Sequence, residues 1–561
     1  MASITGKKIN GHTYYYLRET ARVGGKPKVV FQRYLGKAED IETALAGSQA
    51  TSHRTQHLAF GGLAAVWGMI QRLEVIETID AIVGLRRSDA AASVGTYIAL
   101  ACLNRIVDPC PKLAFSDWWD KTSGPRITGL SGGPLDHRRF WDAMDAISEH
   151  DLLALAIERA LTERIVTDFS VDLDGLVLDM TNFATFIDSA NQRNTIARRG
   201  HAKNKRVDLR LVGLALIVSR DGGVPLVHRA YEGNRPDVTQ FASVVEELTA
   251  RFSKLTDEVC DATVVYDAGN ASAANQDLIE QRHLHYVCSL TTSHHKDLLA
   301  VPASRFKAVE DIDGVTAHET TKIALGAPRR VIVTHSEEFH NKQVAGFEQT
   351  LAKCRRQLDE LQAVLRRGKA RRSRPQIEAE IAKIVSPRWA KRVLKTTFTG
   401  EQAKDFRLTY RTDQRAYDKL EKEHFGKRVI ITSHDDWPVA EVIRAYRSQN
   451  DIEMSFRQMK DVRVVSFSPM RHWTDQKIKV HVFYCVLALA ISQLMRREAE
   501  RAGYKMSVRE LLATLASIQE TVMIYPSTGG RPRARRVITE RAAIAERLYE
   551  FFGLARFAPT R

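Results

Sequence analysis

The sequence predicts a mixed α/β protein divided into several domains, and three observations support this. The chain has 561 residues, too many for one hydrophobic core, and 44% of them are apolar, as in globular proteins. Short apolar runs bounded by turn residues alternate with stretches whose apolar residues recur at helical spacing. Two of the apolar runs lead into an aspartate, Asp179 and Asp267. We therefore expect an α/β sheet with acids at two strand ends, flanked by small β and helical domains.

The overall charge indicates a polyanionic partner. Lysine and arginine number 83 against 67 acidic residues, a formal net charge of +16. Nucleic acid is the commonest partner for such an excess, and an ordinary basic soluble protein is the alternative. The six cysteines lack the paired spacing of a zinc site or disulfide framework, which fits a reducing cytosol. Because the most apolar stretch, Val480 to Ile491, is too short to span a bilayer, we expect a buried helix and no membrane partner.

Residues 1–50 are predicted to form a small β-sheet region. Asn10-Gly11 is a strong hairpin signal, and a turn at Gly24-Gly25 leads into a third strand that ends near Tyr34. Basic residues stand among the tyrosines of these strands: Lys7, Lys8, Arg18, Arg22, Lys26, Lys28 and Arg33. Contact with DNA and a solvated sheet with ordinary charges are both consistent with this pattern.

Residues 51–168 are predicted to form a helical, DNA-binding domain. Apolar residues recur at i, i+3 and i+4 in the segments 63–73, 91–103, 140–147 and 152–161. Asp136 precedes a helix start with basic residues in its first turns, and such helices can enter the major groove. No helix-turn-helix signature accompanies it.

Residues 169–290 and 429–500 are predicted to be two parts of one α/β core, separated by an insertion at 291–428. The first part has strands at 176–180, 209–218, 224–230, 262–266 and 285–290, with helices at 237–252 and 271–281. The insertion begins with two strands, followed by a long charged helix at 341–367 and a basic segment from Arg366 to Arg374, and strands at 406–410 and 429–432 close it. That segment is either a solvated helical-hairpin tip or a phosphate contact. Residues 501–561 are predicted to be a helical and basic tail, with Arg531 to Arg536 as a loop or an arm over DNA.

The stretch from Tyr446 to Lys460 is predicted to be a helix with two distinct faces. Ile452, Phe456 and Met459 have the spacing of a core stripe. The other face carries an acid among basic, aromatic and amide side chains: Tyr446, Gln449, Glu453, Arg457 and Lys460. Glu453 and Arg457 could form an ordinary i,i+4 ion pair. The alternative is that a carboxylate, with a metal, meets phosphate on this face.

The candidate chemistry is that of three carboxylates. Asp179 and Asp267 at strand ends, joined by Glu453 from a helix, would suit two Mg²⁺ ions, because Mg²⁺ prefers oxygen ligands and keeps several waters. Taken singly, an aspartate at the end of a strand is more often a turn residue than a catalytic one. No phosphate-binding loop, zinc-protease motif or nucleophile elbow offers a rival constellation.

The spacing of Tyr446, Glu453 and Lys460, Y-x(6)-E-x(6)-K, resembles the Y-R-E-K signature of DDE transposases from bacterial insertion sequences. Neighbouring segments are also similar to that family: D-M-T-N-F at 179–183, G-G-V-P-L at 222–226 with E-G-N at 232–234, and V-V-Y-D-A-G-N at 264–270. His472-Trp473 and the helix that contains His481 resemble the segment after the glutamate helix of that family. The resemblance spans about residues 170–495.

The resemblance implies an RNase H-like catalytic core interrupted by a β-rich insertion. It also implies DNA cleavage and strand transfer that depend on Mg²⁺, which Mn²⁺ can replace, with two ions held by Asp179, Asp267 and Glu453. The implied partners are double-stranded DNA at terminal inverted repeats, target DNA and a second copy of the chain in the synaptic complex. The implied location is the bacterial cytoplasm, in association with the nucleoid.

The resemblance also implies that Tyr446 and Lys460 contact phosphate near the cleaved end. At the signature's arginine position this chain has Gln449, which can donate a hydrogen bond but brings no charge. We expect Gln449, Arg457 and Lys460 to bind DNA beside Tyr446, with Arg447 or Arg457 as a replacement for the missing arginine. Trp389 and Trp437 are available to hold a flipped base, although a core role is the expectation for both.

The leading hypothesis is therefore a cut-and-paste DNA transposase. The first alternative is a DNA-binding protein derived from such an enzyme that has lost catalysis. The second is a metal-dependent nuclease of the same fold that acts on RNA or RNA–DNA hybrids, which the large insertion and the flanking domains disfavour.

Overall fold

The computed structural model describes residues 2–23, 26–42, 52–84, 91–147, 152–200, 208–253, 262–367, 372–525 and 533–560. The chain divides into two compact units. Unit 1 comprises Met1–Ala65, Asp117–Ser131 and Leu512–Arg561, and unit 2 comprises Val66–Ser116 and Gly132–Leu511. The predicted Gly24-Gly25 turn and parts of both predicted basic segments, 368–371 and 531–532, lie outside the described residues.

The strands, in chain order, are β1 (Ala2–Ile9), β2 (His12–Val23), β3 (Lys26–Gly36), β4 (Arg54–Ala59), β5 (Gly175–Ala184), β6 (Arg198–Arg199), β7 (Arg210–Ser219), β8 (Pro225–Glu232), β9 (Thr263–Tyr266), β10 (His285–Ser289), β11 (Lys307–Ala308), β12 (Val315–Ala324), β13 (Ala327–Ser336), β14 (Leu394–Thr399), β15 (Arg407–Thr412), β16 (Lys427–Thr432), β17 (Gln519–Tyr525) and β18 (Arg533–Ile538).

The α-helices, in chain order, are α1 (Gly61–Arg72), α2 (Val75–Val83), α3 (Val94–Val107), α4 (Phe115–Trp119), α5 (Gly124–Thr128), α6 (His137–Asp145), α7 (Leu152–Phe169), α8 (Asp237–Phe252), α9 (Ala273–Gln281), α10 (Lys296–Leu299), α11 (Glu337–Arg366), α12 (Arg374–Ile384), α13 (Ala390–Val393), α14 (Gln414–His424), α15 (Val439–Arg447), α16 (Gln449–Lys460), α17 (Asp475–Arg501), α18 (Val508–Ala516) and α19 (Ala543–Phe551).

Unit 1 contains two small antiparallel sheets. The first is β1-β2-β3, and its hairpin turn is at Asn10-Gly11 as predicted, with φ of 47° and 79°. The second has the order β18-β17-β4. The prediction of a helical tail with a basic loop was therefore wrong for 519–525 and 533–538. β17 pairs with β18 and with residues 54–59, and such a distant partner leaves no signal in a local sequence pattern.

Unit 2 begins with helices that match the predicted segments. Asp136 caps α6 by accepting a hydrogen bond from the Arg138 backbone N–H over 2.9 Å. The predicted buried helix is α17, most of whose residues are buried. Among the described residues it is the one helix long and apolar enough to cross a membrane by length and composition, a test that a core helix of a soluble protein also passes.

The centre of unit 2 is a ten-stranded sheet with the order β11-β12-β13-β16-β10-β9-β5-β7-β6, and β8 pairs with β7. Within it β5, β9 and β10 are parallel neighbours, whereas β7 and β16 are antiparallel to the strands beside them. The strands predicted for the first part of the insertion are β12 and β13, which pair with β16 and extend this sheet.

The part of the insertion with its own core runs from α11 to α14. Leucines along α11 are fully or almost fully buried at Leu351, Leu358 and Leu365, and they pack with residues of α12, α14 and the β14–β15 hairpin. This body is mainly helical with one two-stranded sheet. It contains the predicted long helix as α11 and the predicted strand 406–410 as β15, whereas β12 and β13 belong to the large sheet.

Candidate active site

The two predicted aspartates lie on neighbouring parallel strands at matching positions. The β5–β9 pairing joins Gly175 to Thr263 and Val177 to Val265. The same register continued by two residues places Asp179 opposite Asp267. Neighbouring strands are about 4.8 Å apart, so the two carboxylates start from adjacent points on the sheet.

Asp179 is not at a strand end, which corrects the sequence prediction. It is the fifth of ten residues of β5, because β5 pairs with β7 as far as Ala184. Its parallel neighbour β9 stops at Tyr266, however, and the next residue is Asp267. Asp179 is half-buried and its carboxylate accepts the Met180 N–H over 2.7 Å, whereas Asp267 is exposed and accepts the Gly269 N–H over 2.6 Å.

Ser289 extends this row to a third strand. The β9–β10 pairing joins Tyr266 to Cys288, so the next residues along each strand, Asp267 and Ser289, are opposite each other when the register continues. Ser289 Oγ accepts a hydrogen bond from the Tyr446 hydroxyl over 3.0 Å, and the same hydroxyl accepts one from Arg428 Nη1 over 3.1 Å. The helix that holds Tyr446 is thereby fixed to the end of β10.

The predicted helix from Tyr446 to Lys460 is present as α15 and α16, which are separated only by Ser448. Ser448 keeps helical dihedral angles, with φ of −62° and ψ of −15°. The predicted core stripe is confirmed, because Ile452, Phe456 and Met459 are at most 5% exposed.

Helix α16 covers the face of β5 that carries the residues two and four positions after Asp179. Lys460 Nζ donates to Thr181 Oγ1 over 2.7 Å and lies 5.4 Å from the centre of the Phe183 ring. Side chains two residues apart on a strand share a face, so Asp179 belongs to the face that α16 covers.

Glu453 is exposed and lines a cleft of about 400 Å³, which we call the glutamate cleft. Tyr446, Arg447 and Gln449 line it too, so the structure brings these four residues together. Arg457 does not line the cleft, and within the described residues it forms no ion pair with Glu453. Of the two arginines considered as replacements for the missing signature arginine, only Arg447 is therefore placed beside Gln449.

The three carboxylates do not form a closed cluster. No group of three or more His, Cys, Asp or Glu side chains in the described ranges is arranged to hold a metal ion. The donor chemistry suits a hard divalent cation, because carboxylate oxygens are the ligands that Mg²⁺ prefers. Asp179 and Asp267 start from neighbouring points on the sheet, and Glu453 is on the helix that covers this face.

Two tryptophans considered for base contacts are both half-buried. Trp389 packs on Phe425 with 5.4 Å between ring centres. Trp437 stacks on His434 at 3.6 Å with an interplanar angle of 6°. Both rings therefore have packing partners, and Trp389 also lines a cleft beside the end of β10.

Sequence reasoning missed Ser289 and Arg428. A signal for Ser289 was present in the sequence. The predicted strand 285–290 ends beside Ser289, in the same way as the predicted strands 176–180 and 262–266 end beside Asp179 and Asp267. Arg428 is at the start of β16, which runs antiparallel to β10, so it reaches the same sheet edge from the other direction. That relation depends on strand order, which a local pattern does not give.

The chain matches the sequence profile of a family described as "Transposase DDE domain" over residues 172–491, more than half of its length. No curated protein is similar enough to match. Among solved structures, the cryo-EM structure of the piggyBac transposase synaptic complex with hairpin DNA is similar at 9% sequence identity and a TM-score of 0.37, with 82% of each chain covered. On the family match, the chain belongs to the DDE transposases and is a DNA-cleaving enzyme of DNA transposition.

Proposed function

We propose that this enzyme carries out cut-and-paste transposition, with Asp179, Asp267 and Glu453 as the residues that hold the divalent metal. The observation that carries the proposal is the in-register placement of Asp179 and Asp267 under the helix that presents Glu453. A residue on the covering helix can close the set from above the sheet, while the two strand positions stay fixed by backbone pairing.

The proposed catalytic core is RNase H-like. The strand order β8-β7-β5-β9-β10 supports this. The strands β5, β7 and β8 are consecutive antiparallel neighbours, and β9 and β10 continue the sheet parallel to β5. The body from α11 to α14 then interrupts the core between β13 and β16.

When bound, two Mg²⁺ or Mn²⁺ ions would activate a water or a 3′-hydroxyl and stabilise the leaving oxygen of the phosphodiester. The side chains have separate tasks. Asp179 and Asp267 on the sheet and Glu453 on the covering helix would hold the ions, and the ions would contact the reacting phosphate. Gln449 and Arg447, beside Glu453 in the glutamate cleft, donate to DNA oxygens, and Lys460 supplies a cation at the end of the same helix.

The proposed partners are duplex DNA at the terminal inverted repeats of the element, target DNA and a second copy of the chain. The net charge of +16 supports polyanion binding in general. Action on DNA in the bacterial cytoplasm, with dimer formation at paired ends, is part of the proposal.

The test uses the full chain, a duplex that carries the terminal repeat of its element, and Mg²⁺ or Mn²⁺. We expect specific end cleavage, which is lost in Asp179→Asn, Asp267→Asn and Glu453→Gln while duplex binding is kept. Asp277→Asn, an exposed acid on α9, is the matched control and keeps cleavage.

Glu338 provides a rival assignment for the third acid, because it also lines the glutamate cleft, where it pairs with Lys342. Cleavage that survives Glu453→Gln but not Glu338→Gln would transfer the role to Glu338. Absence of end cleavage by the wild-type chain with every repeat duplex would overturn the proposed function.

A further inference from the structure

We propose that a second cleft, which we call the cationic cleft, binds a backbone phosphate of the DNA strand that enters the active site. The inference rests on the proposed function and specifies where that enzyme holds its substrate. The cationic cleft has a volume of about 260 Å³ and lies between the end of β10, the start of β16, α11 and the segment before α13.

The position of the cationic cleft relates it to the acid row. Ala268, the residue after Asp267, lines it, and so does Ser289, which is in register with Asp267. Arg428 lines both this cleft and the glutamate cleft, so the two clefts adjoin at its side chain. A strand with a phosphodiester at the acids would therefore place a neighbouring phosphate within reach of the cationic cleft.

The charge of the lining is entirely positive. Three cations line the cleft: Arg388, Lys427 and Arg428. No acidic side chain lines it, and none of the three cations forms an ion pair with a described residue. Glu423 is an acid whose charge acts on Lys427, but its nearest described partner is Lys419 at 3.8 Å. Three unpaired cations that line one concave site attract a polyanion and repel one another without it.

The remaining lining supplies neutral groups and a fixed wall. Hydroxyls of Ser289, Thr291 and Thr292 can donate to phosphate oxygens without adding charge. The Arg388 guanidinium lies 4.2 Å from the centre of the Trp389 ring, and Trp389 has a φ of 67°. That conformation costs free energy in a bulky residue, and a cost of this kind is common where a binding group must be held in place.

Arg428 is oriented from two sides. Its guanidinium lies 4.4 Å from the Phe339 ring centre and donates to the Tyr446 hydroxyl, while Lys427 Nζ donates to the Leu299 carbonyl oxygen over 2.6 Å. Burial lowers the pKa of Lys427, so a phosphate beside it would favour its charged form. A planar guanidinium fixed in this way suits bidentate contact with a phosphodiester.

The test measures binding of the full chain to the end duplex without divalent metal, so that cleavage does not contribute. We expect Arg388→Gln and Arg428→Gln each to weaken binding by about three- to tenfold at physiological salt and to lower the slope of log K against log salt by about 0.9. Arg415→Gln, an exposed arginine on α14 outside both clefts, is the matched control and should leave the slope unchanged.

To identify the bound phosphate, each phosphate of the strand near the cleaved end is replaced in turn by a neutral methylphosphonate, and binding of the duplex is measured. We expect one linkage whose neutralisation weakens the wild-type chain but not Arg388→Gln or Arg428→Gln. The second part of the test measures binding of inorganic phosphate to the same variants. If the cleft is specific for free phosphate, the variants lose phosphate binding but keep the wild-type slope of log K for DNA against log salt. That result overturns the proposal.

Folding is controlled by melting temperature and by Arg388→Lys and Arg428→Lys, which keep the charge and should restore most of the slope. Variants that bind and cleave like Arg415→Gln would refute the cationic cleft and leave the transposase proposal intact. A wild-type chain that binds the end duplex no more tightly than a random duplex and cleaves nothing would count against the proposed function itself.

Discussion

The Tyr446 hydroxyl donates a hydrogen bond to Ser289 Oγ over 3.0 Å, and this contact joins the helix before Glu453 to the strand in register with Asp267. Tyr446 is 7% exposed, so the bond is shielded from water. The bond is one of several contacts that hold this helical segment against the sheet, together with the buried stripe of α16 and the Lys460–Thr181 hydrogen bond. The resemblance assigned Tyr446 to phosphate contact, and the structure gives its hydroxyl two protein partners.

We expect Tyr446→Phe and Ser289→Ala to act alike. Each should lower the free energy of unfolding by about 1 kcal/mol, and the double variant should lose little more, because both remove the same bond. The turnover number for end cleavage should fall while affinity for the end duplex stays constant. Chemical denaturation and single-turnover cleavage provide these values. If Tyr446→Phe weakens DNA binding and Ser289→Ala does not, the hydroxyl contacts phosphate instead.

Gln449→Arg should strengthen binding of end DNA. Gln449 is 6% exposed and lines the glutamate cleft, so an arginine there would add a cation beside Glu453. We expect the slope of log K against log salt to steepen by about 0.9. The measurement is a salt titration by fluorescence anisotropy. Gln281→Arg, at an exposed position on α9, is the control for the added charge. Equal slopes for the two variants would remove Gln449 from the phosphate contacts.

Variants of Lys460 and Thr181 can distinguish a role of Lys460 in phosphate binding from a role in supporting the sheet. Lys460 Nζ donates to Thr181 Oγ1 over 2.7 Å, yet Lys460 itself is exposed, so its ammonium can turn to DNA. We expect Lys460→Ala to lower the salt slope by about 0.9, whereas Thr181→Val leaves it unchanged. The same titration gives both values. A matching loss in Thr181→Val would mean that Lys460 acts by positioning β5.

The sequence predicted the strands and helices of unit 2 well because their patterns are local. Apolar runs of β5, β7 and β9 and the core stripe of α16 are each visible in a short window. The three acids were predicted as a set for a different reason, because the apolar runs before Asp179 and Asp267 were weak signals until the resemblance around Glu453 joined them. The pattern by itself misplaced the end of β5, since the antiparallel partner that lengthens it to Ala184 is more than 25 residues away.

Relations across the chain were beyond local patterns. Strand order decides that Ser289 and Arg428 reach the edge where Asp267 lies, and no window of the sequence contains all three. The pairing of β17 with β4 likewise joins residues more than 450 positions apart. The basic segment near the C-terminus was interpreted as a loop or an arm over DNA, but Arg536 is on β18 and donates to the carboxylate of Glu520 over 2.5 Å.

Glu520 is the basis of a pH-dependent prediction for unit 1. Its side chain is fully buried and accepts hydrogen bonds from Arg126 and Arg536. Burial alone would raise the pKa of this carboxyl, but the bonds from the arginines outweigh it, and the pKa lies below its ordinary value. A carboxyl with a lowered folded-state pKa stabilises the fold above its unfolded-state pKa, about 4.3, and that stabilisation is lost as pH falls through the folded-state value.

We therefore expect Glu520→Gln to lower the free energy of unfolding by about 3 kcal/mol at pH 7, because two arginines lose their buried partner. The difference between wild type and variant should be constant above about pH 5 and should shrink below about pH 4 as the wild-type carboxylate takes up its proton. Urea denaturation from pH 3 to pH 8 measures this. Glu546→Gln, at a partly exposed pair with Arg541, is the control and should change the free energy of unfolding far less. A difference that does not change with pH would show that Glu520 stabilises unit 1 by packing and not through its charge.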